Sequence, residues 1–120
     1  MTIMAESIPL DRFLRLLADE SVPVVHRALW ALLWESDVRV LDLLALEVAD
    51  ESRIRPQAGG ALGGQAETLL ARLVAGRTSG PLFAVGGRTL SWDEAVRTAG
   101  AAGVPIHAFR TSGRQHRGAL

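Results

Sequence analysis

The sequence contains neither cysteine nor lysine. Without cysteine, a disulfide scaffold, a thiol nucleophile and a cysteine-ligated metal are all excluded. Without lysine, all thirteen basic residues are arginines, a bias that GC-rich coding explains in bland terms. Long apolar runs are missing too. The longest unbroken apolar run, residues 28–34, is far too short to span a bilayer. The opening MTIMAESIPLDRF has no basic lead and no long apolar segment, so no secretory leader is expected. No GxGxxG, Walker or GxSxG motif occurs, which leaves nucleotide-loop and serine-hydrolase chemistry without a carrier. No cofactor is expected. The sequence predicts a bacterial-type cytoplasmic protein.

What is present suits one globular domain of 120 residues, 48% hydrophobic and 22% charged, which is too apolar for disorder. Net charge is zero but unevenly spread. Residues 1–52 carry ten acids and four arginines, and residues 53–120 carry three acids and nine arginines. Such asymmetry invites self-association or a basic face.

In chain order, residues 7–20 read as an amphipathic helix with Leu10, Phe13, Leu14 and Leu17 on one face. Ser21 is expected to cap a second helix. From residue 22 to 34 its only polar side chains are His26 and Arg27, so it is either buried on most sides or closes an interface. The interface expectation names Val22, Arg27, Trp30 and Trp34, with self-association through a two-fold axis. Residues 38–49 fit both a helix and a strand, and their length favours the helix. Residues 50–64 hold four glycines and a proline and read as a mobile loop. Residues 65–76 form a helix with Leu69, Leu70, Leu73 and Val74 inward. Leu14, Leu29, Leu44 and Leu73 are expected core members.

Residues 80–110 make a strand, a Gly86-Gly87 hairpin turn, a helix capped by Ser91, and a second strand over 104–109. Trp92, Ala95, Val96 and Ala99 are expected to face the sheet. The predicted fold class is therefore α+β, or mixed α/β, with a helical N-terminal half packed on a small sheet built at 81–110. The domain is expected to cover 1–110, followed by a flexible basic tail at 111–120. The run FAVGGRTLSWDEAVRTAGAAGV resembles the opening hairpin and helix of amino-acid-activating adenylation domains. DEAVRTAGAAGVPIHAFRTSG resembles the last helix–strand step of von Willebrand A domains. Each covers under a quarter of the chain, without a phosphate loop or full metal motif, and neither places the chain in a family.

The chemistry-bearing candidates are few. GGALGG before a helix suggests an anion loop but lacks the Walker lysine. Asp50 and Ser52 open a metal motif that Ile54 breaks. His26, His107 and His116 have no ligand spacing. No catalytic or metal residue is assigned. The basic cluster Arg110, Arg114 and Arg117, with His116, is the nucleic-acid candidate. LSWDEAVRTAGAAGVPIHAFRTSGR is similar in length to a small excisionase-type helix-turn-helix, although its proline argues against a recognition helix there. The first functional reading is a protein-interaction or regulatory domain acting as a homodimer or subunit. The alternative is a DNA-binding regulator using the arginine-rich half. A ligand-binding protein or enzyme around the glycine loop and Trp30/Trp34 comes third.

Overall fold

The structure, a computed structural model, describes residues 7–118. Its centre is α2 (Val24–Glu35), in which every residue from 25 to 34 is buried. Around it pack α1 (Leu10–Ala18), α5 (Gly64–Val74), α6 (Trp92–Ala101) and α7 (Ile106–Gly118). Between α2 and α5 the chain forms α3 (Val40–Leu44), a 3-10 turn (Val48–Arg53) and α4 (Ile54–Gln57). One antiparallel hairpin, β1 (Ala84–Val85) and β2 (Arg88–Thr89), completes a mostly helical fold.

An apolar helix without a solvent face needs neighbours on all sides, and α2 has them. Trp30 stacks on Phe109 of α7 at 4.9 Å between ring centroids, and Trp34 stacks on Phe13 of α1 at 3.9 Å. The two polar residues within the helix have specific places. Arg27 donates from Nε to the Val22 carbonyl at 2.8 Å and from Nη1 to the Leu17 carbonyl at 3.2 Å. It thereby satisfies one carbonyl in the last turn of α1 and one just before α2, and its remaining charge meets Glu20 at 3.3 Å. His26 Nε2 lies 3.4 Å from the Thr98 hydroxyl on α6. Burial lowers the His26 pKa, and the nearby Glu94 carboxylate partly opposes that shift.

This geometry corrects the expected interface. Arg27, Trp30 and Trp34 are 3%, 0% and 4% exposed within the single chain, and Val22 is half-buried against the core. Sequence periodicity shows that a helix is covered but not by what, and here the chain covers it itself. Ser21 does not cap α2. Its hydroxyl donates to Asp19 at 2.6 Å, and Pro23 occupies the cap position. Leu29, Leu44 and Leu73 are core, whereas Leu14 is 41% exposed at the edge of α1.

The hairpin forms as expected. Gly86 and Gly87 both have positive φ (59° and 85°), the pair of angles a tight I′ turn demands. Ser91 Oγ accepts from the Glu94 amide at 3.1 Å and starts α6. Gly103, at φ 83°, ends that helix with two bonds, Gly103 N to Gly100 O and Val104 N to Ala99 O. These are the two bonds of a Schellman cap. Ala95 and Ala99 are buried, but Trp92 points outward at 44% exposure.

Further expectations are overturned. Residues 104–109 are not a strand, because α7 begins at Ile106 and runs through the segment expected as a tail, to Gly118. Its inward side is Ile106, Phe109, Ser112 and Gly113, and the last two are small rather than apolar. The sheet therefore stays a two-stranded hairpin. The expected tail residues 119–120, and residues 1–6 at the other end, lie outside the described residues.

Residues 38–49 divide. The first part is α3, and the rest extends to an antiparallel bridge in which Val48 N donates to Gly80 O and Leu82 N to Leu46 O, both at 2.9 Å. The loop expected at 50–64 is helical through residue 57. Ile54 is buried there, and Arg55 forks onto Glu67 of α5 at 2.6 and 2.7 Å while also bonding Glu51.

Candidate functional site

Each arginine of the expected nucleic-acid cluster has a partner at or next to Asp37. Arg110 Nε donates to the Asp37 carbonyl at 3.0 Å. Arg117 meets the Asp37 carboxylate at 3.2 Å and also donates to the Trp34 carbonyl. Arg114 reaches the same carboxylate at 3.8 Å. All three lie where α2 ends, and cations are favourable beside the unpaired carbonyls of a helix C-terminus. Arg117 therefore ties α7 to the end of α2, whereas Arg114, 65% exposed, makes only a surface pair. Arg110 differs, because among the described residues it meets the Asp37 carbonyl and no carboxylate.

The rest of the Arg110 guanidinium opens onto a groove of about 380 Å³ lined by Arg39, Val40, Leu41, Asp42, Trp92, His107 and Arg110. Three elements bring these residues together. Arg39 is the residue on which α3 starts, in extended conformation. Trp92 opens α6, held by the Ser91 cap. His107 and Arg110 are one helical turn apart on the outward side of the first part of α7. Arg39 forms no ion pair among the described residues, and Asp42 is the single carboxylate in the lining. Leu41 and Trp92, 64% and 44% exposed, are the most exposed large apolar side chains of the described fold.

Two planar guanidiniums, one from the start of α3 and one from α7, are suited to an oxyanion. Arginine forks match the paired oxygens of phosphate. A second cleft, of about 350 Å³, lies across Asp42 from the first and is walled mainly by Val38, Leu43, Leu46 and Ile54. The Ser36 hydroxyl in it already donates to Leu32 O at 2.7 Å and accepts from Val38 N. Its rim cation, Arg53, is paired with Asp50 at 3.4 Å. It has less to offer a charged ligand.

The glycine loop is not an anion site. The Gly63 amide, at the start of α5, donates to the Glu35 carboxylate at 3.1 Å, so the chain supplies its own anion there. Asp50 accepts from the Glu47 amide at 3.0 Å in a local capping box. Among the described residues no group of three or more His, Cys, Asp or Glu could hold a metal, and no helix is long and apolar enough to cross a membrane.

In the sequence Arg110 stands in a basic cluster with Arg114 and Arg117, and nothing there groups it with the other groove residues. Arg39 and Trp92 were missed. Arg39 stands between two valines without any motif around it, and Trp92 fits the apolar side of α6. No local signal joins them to residues 107 and 110. Comparison of the chain with protein-family models, with curated proteins and with solved structures finds no match.

Proposed function

We propose that this chain binds the phosphate backbone of a nucleic acid in the groove between α3, α6 and α7. The observation that carries the reading is the convergence of Arg39 and Arg110 beside His107 in one open groove, with neither guanidinium spent on a carboxylate. Each arginine can offer two parallel N–H donors to one phosphate, and the imidazole lies within the same lining. The Asp42 carboxylate on the wall opposes an anion, but two guanidiniums outweigh it.

The same groups are of the kind that stabilises the charge built up when a phosphodiester reacts. Binding and polarising a phosphodiester is therefore the activity proposed for this groove. A second reading, self-association, is supported by Leu10 and Leu14, 40% and 41% exposed one turn apart on α1.

Fluorescence anisotropy with a labelled generic duplex tests the first reading, with sedimentation at the same concentrations reporting the second. Affinity should fall steeply with salt. Replacing both groove arginines (Arg39→Gln with Arg110→Gln) should weaken binding at every sequence and lower the log–log salt slope by about 2. Arg114→Gln, outside the groove, should change the slope by less than either groove substitution alone. No binding at low salt and micromolar protein, or a double variant equal to wild type, would remove the proposal.

A further inference from the structure

Trp92 is the odd indole of this protein. Trp30 and Trp34 are 0% and 4% exposed, whereas Trp92 stands 44% exposed on a helix that is otherwise well anchored. Its backbone is held by the Ser91 cap, and Ala95 and Ala99, one and two turns further on, are wholly buried. The indole is thus presented from a fixed element rather than a loose loop. It shares the groove with Arg39 and Arg110, and Leu41 adds a second exposed apolar side chain to the same lining.

A phosphate alone uses the guanidiniums and leaves the indole and Leu41 in water. A duplex presents phosphates, but its bases are stacked inward and cannot meet an aromatic ring without leaving the stack. An unpaired nucleotide satisfies both halves of the groove at once, because it carries an anionic phosphate and a flat π-face on one flexible unit. Stacking on an indole is tolerant of base identity, and neighbouring arginines add cation–π attraction. The volume of about 380 Å³ lies within the range of small-ligand clefts, roughly 300–1,000 Å³.

Resting on the backbone-binding reading, we infer that the groove selects an unpaired nucleotide, with its base stacked on Trp92 and its phosphate held by Arg39 and Arg110. An aromatic anchor flanked by arginines is also found where proteins dock. The lining's excess of guanidinium over carboxylate favours the polyanion, and an acidic apolar peptide becomes the competing arm of the test.

The experiment uses the full chain and its intrinsic tryptophan fluorescence. The probes are a short oligothymidylate, an abasic phosphodiester strand of the same length, a blunt duplex, and an acidic peptide containing one leucine. Oligothymidylate should quench the exposed indole and bind about tenfold tighter than the abasic strand. Trp92→Leu should abolish both the quenching and the preference for oligothymidylate over the abasic strand. Equal binding of all three nucleic-acid probes without quenching overturns the stacking inference and leaves backbone binding standing. Failure of all three at low salt removes backbone binding and this inference with it. Quenching by the peptide, with none by oligothymidylate, reassigns the groove to protein docking and also overturns the inference.

Discussion

The two sides of α7 are built on opposite rules. Toward α2 it presents Ile106, Phe109, Ser112 and Gly113, all buried, and at Gly113 the backbones themselves meet. The Ser112 hydroxyl accepts from the Ile8 amide at 2.8 Å, so the chain before α1 is fastened to the same side. Toward solvent the same helix carries His107 and Arg110, facing a groove that Arg39 and Trp92 share. The inward side uses small residues to bring helices close and leaves no space for a ligand. The outward side uses long, rigidly rooted donors and leaves space. A site can stand on α7 because its other side is so tightly fixed.

The largest effect should come from breaking the inward side. A Cβ built at Gly113 would sit 2.2 Å from the Trp34 carbonyl oxygen and 2.6 Å from its Cα. Neither atom belongs to a flexible side chain, so the helices must separate. Alanine is the better helix former by about 1 kcal/mol, and an overpacked contact typically costs about 1–3 kcal/mol, occasionally more. With backbone on the other side of the clash, the steric cost wins, and Gly113→Ala should destabilise by about 2 kcal/mol in urea melts. Gly100, inside α6 and exposed, has nothing within 4 Å of its would-be Cβ. Gly100→Ala should instead gain up to about 1 kcal/mol. Equal shifts of one sign would show that α2 and α7 are not in backbone contact.

The same contrast decides what could be read in advance. The hairpin, the Ser91 cap and the end of α6 at Gly103 were legible because each is local chemistry, completed within a few residues. The helices α1, α2 and α5 were legible because their buried positions are apolar. The second half of α7 was not, because its inward positions, Ser112 and Gly113, look like a turn, while residues 104–109 alternate like a strand. The ordered stretch after residue 50 is held by buried Ile54 and by Arg55 meeting Glu67 of α5 twelve residues on, a pairing that no periodic pattern signals. The groove was hidden for the same reason. Arg110 was visible as a cation, but Arg39 and Trp92 reach it only through the packing of three helices.

A milder perturbation loosens the buried side without touching the groove. His26 is 4% exposed on α2, and its folded-state pKa lies below the ordinary 6.5 because burial disfavours the imidazolium. Below 6.5 the unfolded chain therefore binds a proton that the folded chain refuses. The stability contributed is complete above 6.5 and is lost as pH falls through the folded value. Urea midpoints should decline from about pH 7 to about pH 5, a window chosen to stay above most carboxylate titration. His26→Gln, which cannot titrate, should flatten that decline even if it lowers the midpoint overall. An unchanged slope in the variant would assign the pH dependence to other groups.

The smallest effect is expected at the groove itself. Truncating a buried indole costs about 3–5 kcal/mol. Trp92 has 44% of its surface already in water and stands in the first turn of α6, where alanine is the stronger helix former. Removing the covered part of the ring sacrifices some packing, and the higher helix propensity of alanine works in the other direction. Trp92→Ala should therefore move stability by no more than about 0.5 kcal/mol, as at an ordinary surface position. Thermal melts with far-UV circular dichroism check this directly. A near-zero shift means that the indole is held outward without the fold depending on it, which is how a binding residue behaves. A loss of several kcal/mol would make Trp92 a third core tryptophan. The groove would then lose its aromatic wall, and only the two arginines and the histidine would remain to argue for a ligand.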